Sequence, residues 1–112
     1  MNTQQGKKGE QIASAYLQGR GYTELFRNYR FTFAEADLVM EKGNTVIIVE
    51  VKQRSSLTFG SPEEAIGRAK LRKLRLLAQA LSSQFPDKDI QVDIIGIDGC
   101  HMATHLQNIE FS

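Results

Sequence analysis

The chain is short of the features that staple or anchor proteins. It has one cysteine, Cys100, among 112 residues, so no internal disulfide forms and a reducing compartment is expected. Two prolines and nine glycines without a period exclude a collagen-like or low-complexity chain. The longest apolar run, Val46 to Val49, falls far below the roughly 20 residues that cross a bilayer, so no membrane association is expected. Residues Met1 to Glu10 are polar and unlike a secretion signal, which makes the cytoplasm the expected location. A charge excess is missing too: 14 Lys and Arg against 13 Asp and Glu leave a net +1, which by itself does not announce a nucleic-acid binder.

What is present is ordinary for a globular chain, 41% hydrophobic and 24% charged. No repeat or linker divides it, so residues 1–112 are read as one domain, large enough to bury a core of its own. Charge is unevenly spread. Between Lys52 and Arg75 stand Lys52, Arg54, Arg68, Lys70, Arg72, Lys73 and Arg75, against only Glu63 and Glu64, enough for a positive face.

Periodicity predicts a first helix from about Gly6 to Gln18, with Ile12, Ala13, Tyr16 and Leu17 on one face and Glu10 at its edge. Three strands follow at about 23–30, 36–41 and 45–53, the last carrying the β-branched run Val46–Val49 and Val51. Ser61 and Pro62 followed by Glu63 and Glu64 make a helix start, with Ser61 as N-cap. One long helix is expected from there to about Ser83. Its apolar stripe is Leu71, Leu74, Leu77, Ala78 and Leu81, and Arg68, Arg72 and Arg75 lie on another face. Strands at 90–97 and about 103–109 end the chain. The predicted class is α/β, order αβββαββ, a sheet with helices packed on it.

Gly43 and Asn44 are the only loop between the second and third strands, and glycine first suits a type II′ turn. That turn sets Lys42 opposite Thr45, and by continuation Asp37 opposite Glu50 and Glu35 opposite Lys52, all four on one side of the hairpin. Opposed carboxylates with Cβ atoms roughly 5 Å apart repel unless a proton or cation intervenes. A divalent metal meets that need. The plain alternative pairs Glu35 with Lys52 and Asp37 with an arginine on a solvated face. Charges at the end of the most hydrophobic strand are costly without compensation, which favours the functional reading.

Asp37, a hairpin and then Glu50-Val51-Lys52 resemble the D…(D/E)-x-K signature of the PD-(D/E)XK nuclease superfamily. Gly9-Glu10, Gly21-Tyr22, Arg27-Asn28-Tyr29, Glu35-Ala36-Asp37-Leu38, Glu50 to Arg54, Phe59-Gly60, Lys70, Asp93 and Asn108 resemble the YraN family, similar in layout to archaeal Holliday-junction resolvases. The resemblance implies a restriction-endonuclease-like core, a mixed sheet flanked by helices, and an endonuclease acting on DNA, of structured or branched kind. It implies Mg²⁺ or Mn²⁺ on Asp37 and Glu50, with Glu10 either a further ligand or a solvent-exposed helix-edge residue. Lys52 would act on the attacking water or the phosphate, and Arg54, Lys70 and Arg68 would contact DNA phosphates. The rival readings are a binding module without cleavage and a subunit active only with a partner, and a homodimer fits so small a chain. Ala34 stands where the family usually has glycine, so backbone restriction beside the site is expected. Cys100, His101 and His105 match structural zinc spacing poorly and are assigned to a turn and strand.

Overall fold

A computed structural model describes residues 3–53, 61–99 and 101–109. Arg54, Phe59-Gly60 and Cys100, singled out above, lie outside them. The elements are α1 (Thr3–Gln18), β1 (Thr23–Phe31), β2 (Ala34–Lys42), β3 (Thr45–Gln53), α2 (Pro62–Ile66), α3 (Arg68–Gln84), β4 (Asp89–Asp98) and β5 (His101–Leu106). Among the described residues no helix is long and apolar enough to cross a membrane.

The strands form one mixed sheet in the order β1-β2-β3-β4-β5. Only β3 and β4 run parallel, joined through α2 and α3. The α/β class and the restriction-endonuclease-like layout are those expected, with β3 in the middle. Its run of β-branched residues follows from burial on both faces. Val46 and Ile48 pack with Leu71, Leu74, Leu77 and Leu81 of α3. Ile47 and Val49 pack with Ala13 and Leu17 of α1.

One expectation is corrected: the second helix is not continuous from Ser61 to Ser83. Ser61 does cap its start, its Oγ accepting the Glu64 N–H at 3.2 Å. The helix then breaks at Gly67, whose φ of +85° is left-handed. α3 restarts there, with the Gly67 carbonyl accepting the Leu71 N–H at 3.1 Å. A lone glycine inside an apolar stripe is compatible with either a continuous or a broken helix, so spacing did not show the break. The last strand also ends earlier than expected. The chain turns at Asn108, φ +50°, and the Ile109 N–H bonds the Val92 carbonyl at 2.8 Å. Ala34 causes no strain, since Asn28 and Asn108 are the only described non-glycine residues with positive φ.

Candidate active site

The β2–β3 turn forms as its sequence demands. Gly43 has φ +59° and Asn44 does not share the positive sign, the combination of a type II′ turn. The ladder runs in the expected register from Lys42↔Thr45 to Leu38↔Val49. There it stops, so Asp37 does not pair with Glu50, nor Glu35 with Lys52, as the register extrapolated. Continuing would set two carboxylates face to face on a central strand. Instead Asp37 Oδ2 accepts the Val51 N–H at 2.7 Å, replacing a ladder bond with a side-chain bond. The facing of β2 changes across this point. Ala34 and Ala36 belong to the α3-side core, Leu38 and Met40 to the α1-side core.

The fork between β2 and β3 opens a cleft of about 290 Å³ whose walls include Glu10, Glu35, Asp37, Glu50, Lys52 and Lys70. Thus the four hairpin residues do come together, by a different backbone path. α1 supplies Glu10 from one face of the sheet and α3 supplies Lys70. α1 passes close to β3 at Gly9, where a Cβ would lie 3.1 Å from the Gln53 side-chain Nε2 and 3.6 Å from Val51 Cγ1. Glu10 is only 8% exposed, which removes the solvent-exposed alternative for it.

Burial dominates the electrostatics. It lifts the Glu50 carboxyl to about 8, with help from the Asp37 charge and against the pull of Lys70. Asp37 is raised by burial as well, offset by the Val51 N–H and Lys70. The two carboxyls act on each other in opposite senses, their side-chain interaction raising Glu50 and lowering Asp37. Glu10 is raised by burial and then by Asp37, against Arg27 and Asn28. Lys70 Nζ stands 3.6 Å from Glu50 Oε2 and donates to the Glu35 carbonyl at 3.0 Å. Lys52 is an exposed part of the wall.

Glu10 Oε1 and Glu50 Oε1 are buried without a hydrogen-bond partner. Such oxygens are rare and suit a cation or proton. No group of three or more His, Cys, Asp or Glu among the described residues already closes into a metal-holding cluster. Mg²⁺ commonly takes one or two carboxylates and keeps several waters, so the donor set fits a hard, oxygen-seeking ion. Arg68 opens α3 exposed and does not line the cleft; Arg72 and Arg75 are exposed as well.

Sequence reasoning overlooked a buried network that joins β4 and β5. Asp93, 0% exposed, bonds His105 Nε2 at 2.7 Å, accepts from Gln91 Nε2 at 3.1 Å and from the Asn108 N–H at 2.9 Å. The Tyr16 hydroxyl reaches His105 Nδ1 at 3.4 Å. Asp93 and Asn108 appear in the family resemblance, but nothing local marks His105 as their partner. His101, by contrast, is exposed.

The profile described as Uncharacterised protein family UPF0102 matches residues 9–97, a span that holds Glu10, Asp37, Glu50, Lys52, Lys70 and Asp93. The chain belongs to the UPF0102 family. A UPF0102 protein of Clavibacter michiganensis subsp. michiganensis is 44% identical over 82% of this chain and 80% of its own length. One from Syntrophomonas wolfei subsp. wolfei is 38% identical over 96% and 98%, and one from Persephonella marina 42% over 82% and 81%. UPF0102, or YraN, is assigned to the PD-(D/E)XK nuclease superfamily, in agreement with the resemblance of Asp37, Glu50 and Lys52 to its signature.

Proposed function

We propose that the protein is a divalent-cation-dependent endonuclease that hydrolyses DNA phosphodiester bonds, with structured or branched DNA as its substrate class. The observation that supports this best is the half-buried Asp37–Glu50 pair, each carboxyl raised by its partial burial, with the exposed Lys52 in the same cleft wall. Asp37 and Glu50 would hold Mg²⁺ or Mn²⁺, with Glu10 as a further ligand or a contact to its water. A bound cation of this kind polarises a phosphoryl oxygen and makes a coordinated water more acidic.

The chain's own groups supply the rest. The Val51 N–H bond to Asp37 fixes that carboxylate before substrate arrives, so little orientation remains to be achieved at the reacting step. Lys52 offers a compact ammonium to charge developing on the phosphate. Lys70, tied to Glu50 and the Glu35 carbonyl, keeps a positive charge beside the carboxylates and limits their repulsion. On this reading Lys70 acts within the cleft as well as being a candidate phosphate contact. Arg68, exposed at the start of α3, suits a backbone phosphate, and Arg54 is proposed for the same role from the sequence.

The experiment is incubation of the purified protein with linear, single-stranded, flapped and four-way-junction DNA in Mg²⁺ or Mn²⁺, with Glu50→Ala alongside. Cation-dependent cleavage lost in Glu50→Ala is the expected result. DNA binding without cleavage in either cation would favour the binding module or partner-dependent subunit instead. Cleavage retained in Glu50→Ala would belong to a contaminant.

A further inference from the structure

Beside the cleft lies a second hollow of about 260 Å³. It shares Glu35 and Lys70 with the cleft, and its other walls include Arg30, Phe31, Phe33 and Lys73. Phe31 ends β1 and Phe33 stands in the β1–β2 turn; they are 37% and 45% exposed. Their rings meet edge to face, centroids 5.7 Å apart at 87°. Two exposed phenyl rings on a tight turn contribute little to a core and mark a contact surface. The surrounding charge is mainly positive. The one acid, Glu35, pairs with Arg30 at 3.4 Å, but the two side chains are 57% and 84% exposed. Such a pair is worth little in water and is readily exchanged for a phosphate.

An apolar partner would use the rings and leave the cations idle. A duplex backbone would use the cations and leave the rings idle, because its bases are stacked on each other. An unpaired nucleotide uses both, presenting a π-face and a phosphate a short distance apart. We infer that this hollow seats an unpaired nucleotide of single-stranded DNA, its base stacked on Phe33, which Phe31 meets edge to face, and its phosphate against Arg30 and Lys73. The inference rests on the nuclease reading and sharpens its substrate: DNA with a single-stranded stretch abutting the cleft, as at a flap or fork.

The chain has no tryptophan, so Phe33→Trp places a single indole reporter in the hollow. Oligothymidine and a blunt duplex of equal length are titrated in EDTA, where no cation-dependent cleavage occurs. The single strand is expected to quench the indole and saturate, and the duplex to leave it nearly unchanged. Phe33→Ala is expected to weaken oligothymidine binding about tenfold, the effect of losing one stacked base, while Phe33→Trp preserves it and controls for folding. Equal quenching by both DNAs, no quenching at all, or unchanged affinity in Phe33→Ala each overturns the inference. So does a change in oligomeric state with DNA affinity intact, which would make this face a contact between two copies. Cleavage is scored separately. Quenching without cleavage in Mg²⁺ or Mn²⁺ removes the nuclease reading alone, and cleavage of blunt duplex without quenching removes this inference alone.

Discussion

Replacing Glu50 by Gln should make the cation-free protein more stable, by a margin that grows as pH rises from about 4.5 and levels off above about 8. The Glu50 side chain is 13% exposed, and its carboxyl is raised from 4.5 to about 8. A carboxyl whose pKa is higher folded than unfolded binds its proton more tightly in the native state. Its stabilising contribution is therefore complete below about pH 4.5 and lost as pH climbs through about 8. The full shift corresponds to about 5 kcal/mol. The cleft opens to water and Lys70 stays close, so we expect about 2–4 kcal/mol to be recovered by Glu50→Gln at pH 8.5. For a chain of this size that is a rise of about 8–15 °C in Tm. The assay is thermal and guanidinium unfolding in EDTA across pH 4 to 9. Glu35→Gln serves as comparator, because that side chain lines the same cleft but is more than half exposed. Equal stability of Glu50→Gln and parent at pH 8.5, with parallel pH profiles, would refute the argument that burial and Asp37 strain this carboxylate.

Three further outcomes are expected. Asp37→Asn should lower Mn²⁺ affinity by tenfold or more in calorimetric titration while the far-ultraviolet spectrum stays that of the parent; unchanged affinity would show that this carboxylate is not a ligand. Lys52→Ala should abolish cleavage in single-turnover assays yet retain most DNA affinity, because its charge acts on the transition state, whereas Arg68→Ala should weaken all DNA sequences alike and reduce the salt slope by about one. Asp93→Ala should cost about 2–4 kcal/mol in guanidinium unfolding by stranding His105, Gln91 and the Asn108 N–H; a loss below about 1 kcal/mol would mean that water replaces the carboxylate there.

Much of this architecture is written in short stretches. The β-branched run of β3, the Gly43-Asn44 turn and the Ser61 cap are decided by neighbours within a few residues, and all three form as read. The register set by that turn runs to Leu38↔Val49 and ends at the next position, because a turn fixes which residues face each other but not whether a side chain such as Asp37 takes over a ladder bond. Gly67 escaped notice for a related reason, since nothing local separates a tolerated glycine from a break. The Asp93–His105 pair joins β4 to β5, and Lys70 reaches Glu50 from another element. Contacts of that kind depend on tertiary placement, which periodicity does not report. The carboxylates of the cleft were legible as chemistry while their backbone route to one another was not.

The one-sided end of the β3 ladder has a consequence for slow motions. Past Val49 the strand keeps its parallel partner through Gln53↔Ile97 but has no β2 ladder, and the Val51 amide is held by the Asp37 carboxyl alone. Amide exchange with solvent at Val51 is thus governed by a side chain rather than by the opening of a hairpin. Its protection factor reads how firmly Asp37 is held, in a region where the neighbouring Ile47 to Val49 amides report global unfolding. A single amide, followed by exchange in heavy water, becomes a built-in gauge of the state of the cleft.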